Sequence, residues 1–255
     1  MLKITAETAI NKNHLDFQKP LEDFILVDKE DKIFIVLDGV TRDKNNGIYP
    51  NPSPSFDVSQ IFAQEVYRSL KQEKRNKDIP NLLKFAVING NNKIKEYNKK
   101  GTWSFLPGTV GIISVIVDDI FYYLFVGDCI GQIFHKNKQK KITYPQTRLI
   151  KEHITEFSAD QIRNIICNNK KHPYGYGVFT GEVGVLDFLE FGNESLYKGD
   201  LILLATDGMD ILFNNNEFQI TSSTSAKELL SEAEKMENIQ GQKSDDKAVI
   251  LVRTG

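Results

Sequence analysis

The chain has 255 residues, 40% hydrophobic and 26% charged, with a net charge of −2. That length can bury the core of one large domain or two small ones. The near-zero net charge gives no pull toward nucleic acid or an anionic membrane. Two cysteines, Cys129 and Cys167, make neither a disulfide framework nor a zinc spacing, which fits a reducing cytoplasm. The first residues lack the apolar core of a signal peptide. The most apolar stretch, residues 111–127, is broken by Asp118-Asp119 and reads as two strands around a turn, not as a membrane span.

In chain order, residues 1–20 predict a short strand and a polar connection. Residues 24–27 and 33–37 predict a hairpin around the polar turn 28–32. Residues 41–54, with Asn45-Asn46-Gly47 and three prolines, predict a loop. Asp57 is the expected N-cap of a helix over about 58–74, with Val58, Ile61, Phe62, Val66 and Leu70 on one face. A second helix is expected over about 80–99, capped by Asp78 or Asn81. The period then changes to strands over 109–117, 120–126 and 130–135, followed by a charged turn at 136–141. Residues 142–184 are irregular and polar, with one helix capped by Ser158 and Gln161. Strands are expected at 185–191, 201–205 and 248–252, and a helix opened by the capping box Ser225–Glu228 runs to about residue 238. Blocks of strands and helices argue for an α+β arrangement with helices outside two packed sheets.

Aspartates recur at strand ends. Ile33-Phe-Ile-Val-Leu runs into Asp38-Gly39, Phe121 to Val126 into Gly127-Asp128, and Leu201 to Thr206 into Asp207-Gly208, while Asp245-Asp246 precede the last strand. Taken singly, each pair reads as an ordinary turn. Taken together they place carboxylates at one edge of a sandwich, a cluster that repels itself unless cations neutralise it.

With these motifs in this order, the chain resembles the metal-dependent protein phosphatases, the type 2C or PPM family, over nearly its whole length. Leu21-Glu22-Asp23-Phe24 is similar to the family's first motif, Val36-Leu37-Asp38-Gly39 to its second, and Gly108-Thr109 to the Gly-Thr that opens a strand after the two helices. Val126-Gly127-Asp128 is similar to its Val-Gly-Asp, Ala205-Thr206-Asp207-Gly208 to its Ser-Asp-Gly, and Asp245-Asp246 to its closing Asp-Asn. The resemblance implies a four-layer α-β-β-α sandwich of two antiparallel sheets flanked by helices. It implies one domain over residues 1–255, with a substrate-selecting flap at about 143–184 that adds little to the core. It further implies Mg²⁺ or Mn²⁺, two ions with a weaker third site. By the resemblance, a water held between the metals would attack the phosphate monoester of a Ser/Thr phosphoprotein; beside it, a cytoplasmic monomer is expected. By the same resemblance, Asp38 would bridge both metals and Gly39 would add its carbonyl. Asp207 and Asp245 would complete one metal, Glu22 would support the other directly or through water, and Asp128 would join Asp207 in the third site. Asp23 is assigned to fixing backbone or orienting a ligand, and Asp246 to supporting the ligands from behind.

The sequence also departs from the family pattern. Where the family carries a phosphate-holding arginine, Gln18 stands, with Lys19 beside it; after Asp38-Gly39 comes Val40-Thr41-Arg42 without a second glycine pair. Lys19 and Arg42 are therefore the candidate phosphate cations. Because that arginine is missing, a catalytically weak module that binds a phosphorylated partner is the competing reading, and a hydrolase of small phosphate esters is a third.

Overall fold

The computed structural model describes residues 2–40, 48–73, 78–136, 138–213, 220–221, 223–241 and 245–255. Two five-stranded antiparallel sheets face each other, one in the order β2-β3-β4-β5-β8 and the other β1-β10-β9-β6-β7. The first comprises Phe24–Asp28 (β2), Ile33–Gly39 (β3), Thr109–Val117 (β4), Ile120–Val126 (β5) and Glu190–Ser195 (β8). The second comprises Ile4–Asn11 (β1), Ile130–His135 (β6), Lys138–Lys141 (β7), Leu201–Ala205 (β9) and Lys247–Thr254 (β10). Helices Pro54–Glu73 (α1) and Ile79–Asn98 (α2) cover the first sheet, and helix Ala226–Gln240 covers the second. This is the expected α-β-β-α sandwich.

The central strands read as unbroken apolar runs because both of their faces are covered. On β3, Ile33, Ile35 and Leu37 pack against α1 and α2, while Phe34 and Val36 face the other sheet. On β9, Ile202 and Leu204 face the sheet interface, whereas Leu201, Leu203 and Ala205 pack under the C-terminal helix. Strand alternation then places the next even position on β3, Asp38, on the seam between the sheets.

Four local expectations change. Helix α1 begins four residues earlier, because Ser53 is followed by Pro54 at the first helical position, and the Asp57 N–H bonds the Ser53 carbonyl at 3.2 Å. Asp57 lies inside the first turn and accepts from the Tyr97 hydroxyl at 2.9 Å. Residues 138–141 form the lysine-rich edge strand β7, not only a turn. Residues Val183–Phe188 are a 3₁₀ helix, and strand begins only at Glu190. Finally, residues 143–184 do contribute to the core at their C-terminal end. Phe179 is fully buried, its ring centroid lies 4.4 Å from that of Phe62, and its backbone pairs with Thr109.

Candidate active site

Asp38, Asp128 and Asp207 come from three different chain positions: the end of β3, the turn after β5 and the turn after β9. Each offers a carboxylate oxygen within 4.8 Å of the other two. Such a triplet of hard oxygen donors suits Mg²⁺ or Mn²⁺. Asp38 is held from behind, since Thr109 Oγ1 donates to its carbonyl at 2.9 Å. That gives the Gly108-Thr109 motif a positioning role.

The glycines of the two Asp-Gly pairs are explained by close approach. A Cβ on Gly39 would meet the Glu22 carbonyl at 2.6 Å, and one on Gly208 would meet the Asp246 carbonyl at 1.9 Å. Each Asp-Gly is thus pressed against another acidic motif, and a side chain there would prise the seam apart. Gly39 itself lies on strand β3, so its role is this packing and not a turn. Gly127, by contrast, has φ +92° and needs glycine for the turn itself.

Glu22 is buried and accepts from Ser53 Oγ at 2.5 Å. Its backbone N–H donates to Asp246 Oδ2 at 2.8 Å, and Asn13 N–H donates to Asp246 Oδ1 at 2.7 Å. Asp246 therefore ties two N-terminal loops to the start of β10. Asp23 accepts from Thr206 Oγ1 at 2.7 Å, and that oxygen in turn accepts from Ala248 N–H at 2.9 Å. Asp23 fixes backbone between the sheets. Asp245 lies outside the close triplet, half exposed, and its carboxylate is bound by the buried ammonium of Lys19. Lys19 is thus engaged with an acid of the cluster. Arg42 lies outside the described residues.

Electrostatics follow from this crowding. Burial, with the facing carboxylates of Asp207, Asp23, Asp128 and Asp245, pushes the Asp38 pKa well above the usual range. Asp23 is raised in the same way, by burial and then Asp246. Asp207 is raised by burial and by Asp128, with Lys151 opposing. For Lys151 burial works against the charge, but Asp128 and Asp207 outweigh it and the ammonium is held on. Lys151 is the site residue that sequence reading missed. It lies in the helix Arg148–Glu152, and its Nζ is 2.8 Å from Asp128 and 2.9 Å from Asp207. No local signal marks it among the neighbouring basic residues, because it reaches the site only through the tertiary fold.

No protein-family model and no curated protein matches the sequence. Solved structures do match, end to end. The catalytic domain of the serine/threonine protein phosphatase PstP, in complex with two manganese ions, aligns at TM-score 0.69 and 14% identity, covering 100% of this chain and 99% of that one. The PPM Ser-Thr phosphatase MsPP from Mycobacterium smegmatis, in complex with cacodylate, aligns at TM-score 0.64 and 14% identity, covering 98% of each. Serine/threonine phosphatase Stp1 from Staphylococcus aureus aligns at TM-score 0.69 and 14% identity, covering 99% of this chain and 95% of that one. At such identities the likeness is one of fold: the chain has the fold of the PPM Ser/Thr phosphatases.

Proposed function

We propose that the protein is a metal-dependent Ser/Thr phosphoprotein phosphatase. The observation that carries this reading is the triplet Asp38, Asp128 and Asp207, assembled at the sandwich edge of a fold shared end to end with such phosphatases. Asp38, Asp207 and Asp245 are the residues that would hold the first of two Mg²⁺ or Mn²⁺ ions. Asp38 and the Gly39 carbonyl would hold the second, with Glu22 in support. When bound, the ions lower the pKa of a water and neutralise charge that develops at phosphorus. The chain's own part is to fix the acids: Thr109 behind Asp38, Asp246 behind Glu22, and Asp23 through Thr206. Lys19 keeps Asp245 in place, and Arg42 is assigned to the phosphate oxygens. The substrate is a phosphorylated protein, and residues 143–184 act as the flap that faces it on a single 1–255 domain. The protein works as a cytoplasmic monomer. Support for this setting is the small net charge and the two free cysteines. Among the described residues no helix is long and apolar enough to cross a membrane.

The test is phosphate release from a phosphopeptide panel and from a chromogenic phosphate ester, with Mn²⁺ and with chelator. Release from phosphopeptides only with metal is expected. Release from the ester alone would move the reading to small phosphate esters. Phosphopeptide binding without release would move it to the binding module suggested by Gln18.

A further inference from the structure

Lys151 Nζ is 2.8 Å from Asp128 Oδ2 and 2.9 Å from Asp207 Oδ2, so one ammonium is shared by two carboxylates of the acid cluster. A divalent ion of this class takes its oxygen ligands at about 2.0–2.6 Å. An ion between those two oxygens and the ammonium cannot coexist.

The backbone that carries Lys151 is fastened to the Asp128 turn. Thr147 Oγ1 donates to the same Asp128 oxygen at 2.7 Å, and the Lys151 N–H donates to the Thr147 carbonyl at 2.9 Å. One residue back, the Gln146 N–H donates to the Gly127 carbonyl at 3.0 Å, and Gln146 Oε1 accepts from the Gly127 N–H at 2.9 Å. Gln146 Nε2 donates to the Phe188 carbonyl at 2.8 Å. The lysine is therefore delivered by a braced segment, although half of its side-chain surface is exposed.

We propose that Lys151 is a resident cation of the acid cluster, occupying the position between Asp128 and Asp207 and limiting the site to two divalent ions. This rests on the phosphatase reading above, and it replaces the weaker third metal site that the family resemblance implies. The lysine supplies a fixed charge where a third ion would be exchangeable. It leaves Asp38 and Asp245 to the metals and holds Asp207 toward them.

The test is Mn²⁺ stoichiometry on the full chain, by native mass spectrometry and calorimetry up to millimolar free metal, with circular dichroism to verify folding. Wild type takes two ions. Lys151→Met, of similar length and uncharged, takes a third; Lys151→Arg keeps two; and Lys151→Met with Asp128→Asn returns to two. Three ions on wild type, or two on Lys151→Met, overturns the inference and leaves the phosphatase reading standing. No ion on wild type overturns both. If Lys151→Met does not fold, Lys151→Gln takes its place, and two ions on that variant overturns the inference.

Discussion

Neutralising one aspartate of the cluster separates its two effects: it removes a metal ligand and it relieves repulsion. Asp38→Asn and Asp207→Asn should each lose most metal-dependent hydrolysis, while the melting temperature in chelator holds or rises. A large fall in chelator would make these aspartates structural caps. The glycines beside them behave oppositely. A Cβ at Gly208 would lie 1.9 Å from the Asp246 carbonyl, and one at Gly39 would lie 2.6 Å from the Glu22 carbonyl. Gly208→Ala and Gly39→Ala should each cost about 1–3 kcal/mol, the usual price of overpacking, with or without metal. Chemical denaturation measures this, and an unchanged midpoint for both would refute the close-approach account. Asp38, Asp128 and Asp207 were legible in the sequence because each ends an apolar strand. Lys151 was not, because it sits 56 residues from Asp207 and only the fold brings the two together.

At the scale of elements, residues 143–184 are two things at once. Their middle is a surface segment, with Ile154 and Ile165 about half exposed. Their end is core, where Phe179 packs on Phe62 of α1 and pairs with Thr109 of β4. Phe179→Ala should therefore cost about 3–5 kcal/mol. Ile154→Ala should stay within about 0.5 kcal/mol. Urea unfolding of the two variants checks this, and equal costs would return the whole segment to the surface. Both capping boxes, Ser158–Gln161 and Ser225–Glu228, form as the sequence predicts, because a box is a local signal. The true cap of α1, Ser53, was masked by its place in a proline-rich loop. The expected strand at 185–191 overlaps the 3₁₀ helix Val183–Phe188 because Val185 and Phe188 are buried by tertiary packing, which apolar pattern alone cannot distinguish from a sheet face.

At the scale of the whole molecule, the sandwich holds acids that its own packing disfavours. Asp23, Asp38 and Asp207 all have raised pKa values in the folded chain. A raised carboxylic acid keeps a proton that the unfolded chain has released. Its contribution to stability is thus full below the ordinary value of 3.8 and is lost as pH rises through the folded value. Asp28, Glu96 and Glu228 are shifted down, so their contributions change only on acidification through the lower range. In chelator, then, the melting temperature should fall as pH rises above about 5 toward neutrality, because the raised acids Asp23, Asp38 and Asp207 lose their protons there, and saturating Mn²⁺ should flatten that slope. A melting temperature in chelator that climbs over this window would contradict the cluster electrostatics.

The central claim is that the acid cluster works by holding divalent metal, and the most direct measurement is phosphate release from a phosphopeptide against bound Mn²⁺ in one titration. Release that rises from nothing in chelator and saturates with metal occupancy, and that is mostly lost in Asp38→Asn, is the predicted result. Undiminished release in chelator, or none at full occupancy, would contradict it.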